Sequence, residues 1–303
     1  MKRDVISVLD LREDIDDILS SALELKQGND KSGQQLKGRT LGMIFEKSST
    51  RTRVSFEVGM KQLGGHTVYL NQRDSQLGRG ETVADTAKVL SRFVDGMVYR
   101  AFSHDNVMEL ARNSSVPVIN ALDDCEHPCQ VMADLLTILE KKGRFVGLRL
   151  AYIGDGNNVC NSLALGAALV GMDFVAATPP EYRPDPELLI KAASIAFEND
   201  CISEVVMDPA EAAAGADIIY TDTWVSMGEE AEARHKESVL IPYQVNGELM
   251  ALAKSDCIFM HCLPAHRGFE VTAGVIDGPQ SVVFDQAENR MHAQKAILIK
   301  VMG

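Results

Sequence analysis

The sequence predicts an α/β protein made of two doubly wound domains, each built on a parallel β-sheet. Short apolar runs typical of buried strands alternate with helical segments along all 303 residues, which indicates parallel sheets. The alternation occurs twice, with a charged link at Lys141-Lys142-Gly143. We therefore expect one domain over residues 1–140, completed by a C-terminal helix over 287–303, and a second domain over 141–286. Because ligands of parallel sheets bind beyond the carboxyl ends of the strands, this arrangement predicts an active-site cleft between the domains.

In the first half, apolar runs define the strands and apolar residues at helical spacing define the helices. Gly28 and the pair Gly64-Gly65 follow two of these helical patterns and are expected to end them. A polar stretch that contains glycine, residues 71–80, predicts a loop. The expected strands cover residues 41–45, 66–70, 96–100 and 117–120, and the expected helices cover 11–25, 56–63, 81–93, 105–113 and 128–141.

The second half repeats the pattern. Its expected strands cover residues 148–154, 173–178, 202–207, 217–221, 257–261 and 282–285, and its expected helices cover 158–170, 186–199, 208–214 and 287–301. The acidic and mostly polar region 228–247 predicts a loop that contains a short helix.

Composition excludes several classes of function. The net charge of −13 argues against binding of nucleic acid, which requires a basic surface. The most apolar window, residues 163–171, is far too short to cross a bilayer, so no membrane partner is expected. The start of the sequence contains neither a signal-peptide core nor an Arg-rich transit segment. The six cysteines follow no disulfide framework, which predicts reduced thiols and a cytoplasmic protein.

The hexapeptide Ser48-Ser49-Thr50-Arg51-Thr52-Arg53 lies where the first expected strand turns into a helix. At a helix start, the first N–H groups lack an internal partner and the helix dipole favours an anion. The hydroxyls add donors, and an arginine fork matches phosphate oxygens, so the turn predicts capture of a phosphorylated ligand. Because arginines two positions apart point to different sides of a helix, we favour Arg51 over Arg53. The same residues also fit an ordinary Ser/Thr cap followed by solvated arginines.

Polar residues follow the other expected strands as well, at the edge where a ligand would bind. In the first half these residues include Arg100 and the segment 123–130, which contains His127. In the second half they include the segments 154–158, 221–228 and 261–268, which supply Asp, Asn and Cys. Arginines in one half and acidic, amide and thiol groups in the other predict an anion site that faces a site for a cationic amine.

Short sequence motifs also bear on three other kinds of site. Gly154-x-Gly156 follows a strand, but Val159 stands where a dinucleotide fingerprint has its third glycine. No Walker-type Gly-Lys-Ser/Thr sequence occurs. Cys125-x-His127-x-Cys129 and His261-Cys262 contain metal-ligand residues, but their spacings match no usual zinc pattern. We therefore expect no metal and no cofactor.

Four motifs resemble those of the aspartate/ornithine transcarbamylase family, in the same order and at similar spacing. They are Ser49-Thr50-Arg51-Thr52-Arg53, His127-Pro128-x-Gln130, Asp222-x-x-x-Ser226-Met227-Gly228 and His261-Cys262-Leu263-Pro264. The first is shared by transcarbamylases generally, whereas the last two together are typical of the ornithine branch. The aspartate branch lacks both of these, and the putrescine branch lacks the Ser-Met-Gly sequence. The resemblance extends over essentially the whole chain.

The resemblance implies a role for each matching residue. Ser49, Thr50, Arg51 and Thr52 would hold the phosphate of carbamoyl phosphate, with Arg290 closing over it from the last helix. Arg100, His127 and Gln130 would approach the carbamoyl group, and Cys262 and Leu263 would lie between the substrates. Asn158, Asp222, Ser226 and Met227 would hold ornithine. Gln76 would enter the site of a neighbouring chain in a homotrimer, or in a multiple of trimers, with shared active sites. The residues implied to be catalytic are Arg51, Arg100, His127 and Cys262.

The implied reaction is transfer of the carbamoyl group from carbamoyl phosphate to the δ-amine of L-ornithine, giving L-citrulline and phosphate without a cofactor. Arg51, Arg100 and His127 would stabilise the developing oxyanion and the leaving phosphate. Asp222 and Cys262 would orient the amine and ease its deprotonation. Two alternatives stay open at this point: a transcarbamylase for another amine, and a catalytically silent binding protein of the same fold. The sequence also leaves open whether the reaction makes or breaks down citrulline.

Overall fold

The computed structural model describes residues 2–28, 33–74, 76–225 and 233–303. The chain divides into two compact units. The first comprises Met1–Leu136 and Glu288–Gly303, and the second comprises Thr137–Ala287. Each unit contains its own parallel sheet with helices between consecutive strands.

In the described part of the first unit the sheet has four strands: β1 (Thr40–Phe45), β2 (His66–Asn71), β3 (Gly96–Arg100) and β4 (Val118–Leu122). Their spatial order is β2-β1-β3-β4, and all neighbouring pairs are parallel. β2 therefore pairs with one edge of β1, and β3, the next strand in the chain, pairs with the other edge. The carboxyl ends of β1 and β3 form a topological switch point, which is where α/β sheets bind ligands.

The helices of the first unit are α1 (Ile15–Lys26), α2 (Thr50–Gln62), α3 (Val83–Leu90), α4 (His104–Asn113) and the start of α5 (Pro128–Lys142). Hydroxyl side chains set where several of them begin, because they accept hydrogen bonds from otherwise unpartnered N–H groups. Ser49, Thr82 and Ser103 do so at the starts of α2, α3 and α4, respectively. The expected loop 71–80 contains two 3₁₀ turns, Gln72–Asp74 and Leu77–Arg79.

In the described part of the second unit the sheet has five strands: β5 (Arg149–Ile153), β6 (Asp173–Ala177), β7 (Ser203–Val206), β8 (Ile218–Tyr220) and β9 (Ile258–Met260). Their order is β7-β6-β5-β8-β9, again with parallel pairs throughout. The switch point of this sheet lies between the carboxyl ends of β5 and β8. Each unit thus offers one such point, and the predicted two-sheet α/β architecture is confirmed.

The helices of the second unit are α6 (Asn158–Leu169), α7 (Pro186–Glu198), α8 (Pro209–Ala213), α9 (Ala233–Leu240), α10 (Gly247–Met250), α11 (Ala273–Ile276) and the first residues of α12 (Val283–Met302). Buried strands and helices form an apolar core in each unit, centred in the second on β5, β6 and β8. Among the described residues, every helix is too short or too polar to span a bilayer.

One expected strand is wrong. Residues 282–285 were predicted as a strand, but α12 begins at Val283 and continues through them. Before it, Ser281 makes an isolated bridge to Phe259, and the N–H of Val282 donates to the carbonyl of Phe259 at 3.0 Å. A short apolar run fits a buried strand and a buried helix turn equally well, and here the tertiary contacts decide for the helix.

Gly156 gives a test of the turn between β5 and α6. A Cβ atom at this position would lie 2.3 Å from the backbone nitrogen of Pro184 and 2.5 Å from the carbonyl carbon of Arg183. Because both clashes involve backbone, Gly156→Ala should lower the free energy of unfolding by about 1–3 kcal/mol or more. The control is Gly247→Ala, where a Cβ would meet nothing within 4 Å among the described residues.

Urea unfolding of the two variants beside the unsubstituted protein measures this difference. We expect the Gly247→Ala curve to stay close to that of the unsubstituted protein. Equal stability of the two variants would contradict the tight packing of this turn.

Candidate active site

The turn after β1 has the features of an anion site. Ser49 caps α2, with its hydroxyl accepting from the N–H of Thr52 at 3.2 Å, and the first turn of the helix contains no acidic residue. Arg51 lies in this first turn and is partly buried. Its Nε is buried and has no hydrogen-bond partner among the described residues. An arginine donor held this way, beside a helix start, is suited to bind an anionic oxygen.

Arg53 lies in a different environment, although it is only two positions further along α2. Its side chain is exposed, donates from Nε to Glu57 at 2.9 Å, and stacks over the ring of Tyr69 at 3.8 Å. The charge of Arg53 is therefore already matched on the outer face of the helix. This geometry agrees with the choice of Arg51 as the anion ligand.

The carboxyl end of β3 is fixed by an acidic residue at the end of β1. Glu46 accepts a hydrogen bond from the hydroxyl of Tyr99 at 2.6 Å and another from the N–H of Phe102 at 2.6 Å. Its own N–H donates to the carbonyl of Arg100 at 2.9 Å. Two backbone hydrogen bonds and one from the Tyr99 side chain therefore hold the chain around Arg100, a residue that is only 7% exposed. The sequence pattern did not single out Glu46, because its partners lie more than 50 positions away.

His127 immediately precedes α5, and the turn that leads to it is organised by Asp123. One carboxylate oxygen of Asp123 accepts from the N–H groups of Cys125 at 2.8 Å and Glu126 at 2.7 Å. The His127 side chain is buried, and burial lowers its pKa well below the ordinary value. The positive charges of Arg290 and Arg100 lower this pKa further. His127 is therefore neutral at physiological pH and can donate one hydrogen bond to a ligand.

Two further predicted residues of the first unit lie in the same buried surroundings. Arg290, on α12, donates from Nη2 to the hydroxyl of Thr52 at 2.6 Å. Gln130, on α5, donates from Nε2 to Asp134 at 2.8 Å, and its Oε1 is buried without a hydrogen-bond partner among the described residues. The arginine therefore reaches the first turn of α2, and the glutamine presents an acceptor that a ligand N–H could satisfy.

In the second unit, Asp222 and Cys262 are brought together from the ends of β8 and β9. The thiol of Cys262 donates to Oδ1 of Asp222 at 2.9 Å. Asn157 donates to Oδ2 of the same carboxylate at 2.9 Å, while its own Oδ1 caps α6 by accepting from Val159 and Cys160. Asp222 is 5% exposed, so this acidic group is largely removed from water.

Asn157 was missed from the sequence, where only its neighbour Asn158 was assigned a binding role. Asn158 is the first residue of α6 and is partly exposed. Two asparagines in succession at a strand-to-helix turn are a signal for a cap followed by a binding side chain, since asparagine is a preferred cap. Asn157 orients Asp222 at the switch point of the second sheet.

Ser226 and Met227 lie outside the described residues. Gln76 is exposed at the start of the 3₁₀ turn Leu77–Arg79, and its side chain makes no capping hydrogen bond there.

Asp222, His261 and Cys262 also have ligand atoms within 4.8 Å of one another, a spacing that could hold a metal ion. Protein hydrogen bonds already engage the thiol, the carboxylate and one ring nitrogen of this group. The thiol donates to the carboxylate, Nδ1 of His261 accepts from the N–H of Leu263 at 2.8 Å, and its Nε2 lies 3.3 Å from Glu270. The buried Cys129 thiol of the other candidate motif has its pKa raised to about 12 by burial, which disfavours the thiolate a metal requires. We therefore assign no metal.

Two models of known protein families match this chain, one over each half. The description "aspartate/ornithine carbamoyltransferase, carbamoyl-P binding domain" matches residues 3–140. The description "aspartate/ornithine carbamoyltransferase, Asp/Orn binding domain" matches residues 146–301. The chain belongs to the aspartate/ornithine carbamoyltransferase family. The family predicted from the sequence motifs is confirmed.

Relatives within the carbamoyltransferase family match along the full chain. The catabolic ornithine carbamoyltransferase of Thermoplasma volcanium is 55% identical, with 100% of this chain and 99% of that protein covered. The ornithine carbamoyltransferase structure from Pyrococcus furiosus has 53% identity and a TM-score of 0.96, with 100% and 97% coverage. The anabolic ornithine carbamoyltransferase structure from Campylobacter jejuni has 39% identity and a TM-score of 0.94, with 99% of each chain covered.

The neutral state of His127 in this carbamoyltransferase fold has a measurable consequence for stability. The unfolded chain binds a proton at this histidine below about pH 6.5, whereas the folded chain resists it. As pH falls below that value, the protein should therefore lose up to about 1.4 kcal/mol of unfolding free energy per pH unit relative to His127→Gln. Urea unfolding of both proteins between about pH 7.5 and 5.5 measures the difference. Parallel stability profiles would show that His127 accepts its proton as readily when folded.

Proposed function

We propose that this protein transfers the carbamoyl group of carbamoyl phosphate to the δ-amine of L-ornithine, giving L-citrulline and phosphate. The observation that carries this proposal is the opposite charge at the two switch points. The first unit gathers Arg51, Arg100 and Arg290 in a chain of net charge −13, and the second unit presents the carboxylate of Asp222. A phosphorylated substrate suits the first group, and a diamino acid suits the second.

In this proposal the first unit binds carbamoyl phosphate. The phosphate accepts hydrogen bonds from the start of α2, from the hydroxyls of Ser49, Thr50 and Thr52, and from the guanidinium groups of Arg51 and Arg290. The contact of Arg290 with Thr52 supports this role, because it places that arginine at the first turn of α2.

The carbamoyl group is recognised by residues that complement a carbonyl and an amide NH₂. Neutral His127 donates to the carbonyl oxygen together with Arg100, and the buried Oε1 of Gln130 accepts from the NH₂ group. The donors are fixed before the reaction, so they stabilise the oxyanion as it develops without costly reorganisation. A neutral histidine also adds no further charge to an environment that already contains arginines.

The second unit binds ornithine. Asp222 pairs with an amino group of ornithine, Cys262 and Leu263 lie beside the carbamoyl acceptor, and Asn158 contributes from the start of α6. Ser226 and Met227 complete the recognition of the amino acid in this proposal. Asn157 is a positioning residue here, because it holds one oxygen of Asp222 at 2.9 Å.

The chemical step follows from these assignments. The neutral δ-amine attacks the carbamoyl carbon, a C–N bond forms, and a tetrahedral oxyanion develops beside Arg51, Arg100 and His127. The C–O bond to phosphate then breaks, and the proton released from nitrogen leaves with phosphate or solvent. Because amines of this type titrate near ~10, the site must favour the deprotonated form.

The direct test is citrulline formation from carbamoyl phosphate, with ornithine, putrescine or aspartate offered separately. We expect turnover with ornithine to exceed turnover with the other two by at least ~10²-fold, since a site built for specific polar groups rejects ligands that lack them. Preferred turnover of putrescine would support the alternative amine. Absence of turnover with all three, despite binding of carbamoyl phosphate, would support the silent binding protein.

Asp222→Asn tests whether ornithine and carbamoyl phosphate bind to different units. An amide at this position keeps the size of the side chain but loses the charge, and its NH₂ group would meet the donating Nδ2 of Asn157. We expect kcat/KM for ornithine to fall about 10²-fold or more while the calorimetric affinity for carbamoyl phosphate changes little. The control, Asp256→Asn, removes a carboxylate from the amino-terminal side of β9 and should alter neither. Equal losses for both substrates would contradict separate binding sites on the two units.

We also propose a cytosolic homotrimer, or a multiple of trimers, in which Gln76 of one chain serves the site of the next. All six cysteines are free thiols, which favours a reducing compartment. Val54 and Val58 lie one turn apart on α2 with Val68 on the edge strand β2, and all three are at least 37% exposed. Exposed apolar side chains on a helix and on an edge strand favour contact with a second copy of the chain.

Mixed refolding tests the shared site. Arg51→Ala and Gln76→Ala proteins should each be nearly inactive alone. When equal amounts are unfolded and refolded together, random mixing in a closed ring pairs one intact Arg51 with one intact Gln76 at roughly a quarter of the interfaces. Activity near that fraction of the unsubstituted protein is expected. Activity no higher than that of the separate variants, in mixed rings verified by native mass spectrometry, would mean that Gln76 does not act on a neighbour.

A further inference from the structure

Leu263 has an unusual backbone conformation for its residue type. Its φ is 59°, and among the described residues only Asp200 shares a positive φ without being glycine. A side chain with a Cβ atom is disfavoured in this left-handed region, and leucine lacks the short polar group that lets asparagine or aspartate adopt it. Leu263 directly follows Cys262, whose thiol contacts Asp222. The unfavourable conformation therefore occurs where the chain presents the thiol.

His261 holds this conformation from the preceding strand end. Its ring Nδ1 accepts the N–H of Leu263 at 2.8 Å, so Nδ1 must be free of a proton. The proton of the neutral ring is then on Nε2, which lies 3.3 Å from Oε1 of Glu270. His261 is 0% exposed and Glu270 is 1% exposed. The carboxylate thus favours the one tautomer that can accept from Leu263.

The partners of His261 are themselves held in place. The backbone N–H of His261 donates to Oε1 of Gln286 at 2.9 Å, and Nε2 of Gln286 donates to the hydroxyl of Tyr220 at 3.0 Å. Glu270 also accepts from the backbone N–H of His266. The backbone of His261 and the carboxylate that faces its Nε2 are therefore both held in place, in a region closed to water.

We propose that His261 and Glu270 are positioning residues of the proposed carbamoyl transfer. Glu270 selects the tautomer of His261, and His261 holds Leu263 in the left-handed conformation. This backbone geometry sets the Cys262 thiol against Asp222 and fixes the Leu263 peptide beside the substrates. The inference rests on the proposed function, since it assigns these residues to the ornithine half of that reaction. Neither residue contacts the reacting atoms in this account.

Two substitutions at His261 separate positioning from stability. His261→Asn keeps an acceptor near the place of Nδ1 but is shorter, so it removes the nitrogen that lies 3.3 Å from buried Glu270 and leaves a cavity there, and this variant should be the less stable. His261→Gln can keep a donor near the place of Nε2 but removes the acceptor for Leu263, so it should be the more stable. If the ring positions Leu263, activity follows the opposite order.

We expect kcat of His261→Gln to fall about 10²-fold, the scale for a small misplacement of reacting groups, and kcat of His261→Asn to fall much less. Thermal unfolding and calorimetric titration of carbamoyl phosphate accompany the kinetics, and the affinity for carbamoyl phosphate should be unchanged in both. Activities that follow the order of stability would overturn the inference and show a merely structural role. Assay of the unsubstituted protein separates failure of this inference from failure of the proposed function. If the unsubstituted protein made no citrulline, the proposed function itself would be contradicted.

A second measurement applies even if His261→Asn fails to fold. Glycine adopts φ near 59° without a steric penalty. Leu263→Gly introduced into His261→Gln should therefore raise kcat several-fold above that of His261→Gln alone, although the apolar side chain is lost. Unchanged or lower kcat in the double variant would overturn the proposal, because relief of the backbone strain would then have no effect on turnover.

Discussion

The concentration of positive charge at the carboxyl ends of β1 and β3 is the feature on which the rest of the first unit depends. Arg51 lies in the helix that follows β1, Arg100 ends β3, and Arg290 reaches the first turn of α2, although the chain carries a net charge of −13. Like charges repel, so such an arrangement needs support from the surrounding chain, and Glu46 supplies it around Arg100. The same field and the same burial keep His127 neutral. In the proposed function, a bound anion stabilises these side chains together.

The second unit also has a parallel sheet with one switch point, but the charge at that point has the opposite sign. Its switch point carries Asp222, oriented by Asn157 and contacted by Cys262, where the first unit carries arginines. Parallel sheets place ligands at such points irrespective of chemistry, so the residues after the strands decide what each unit binds. In the proposed function, one unit binds a phosphorylated carbonyl donor and the other binds an amine.

The local sequence pattern predicted most strands and helices, but it did not predict contacts between residues that are far apart in the sequence. The strand over 96–100 and the start of α5 at Pro128 follow from apolar runs and from proline at a helix start. The strand expected over 282–285 was wrong, since four apolar and polar residues fit either element and packing chose the helix. Glu46 and the contact of Arg290 with Thr52 join distant positions, which periodicity does not register. Asn157 was overlooked because its neighbour fits the family motif and its capping role serves Asp222 indirectly.

The measurement that tests the central claim most directly is calorimetric titration of carbamoyl phosphate into Arg51→Gln and Arg53→Gln. Both substitutions remove one positive charge from the same helix, two positions apart, so long-range electrostatics change almost equally. The account predicts at least ~10-fold weaker binding for Arg51→Gln, because a charged hydrogen bond to the phosphate is lost, and near-normal binding for Arg53→Gln, whose side chain pairs with Glu57. Equal weakening in both variants, or a larger loss for Arg53→Gln, would contradict the account.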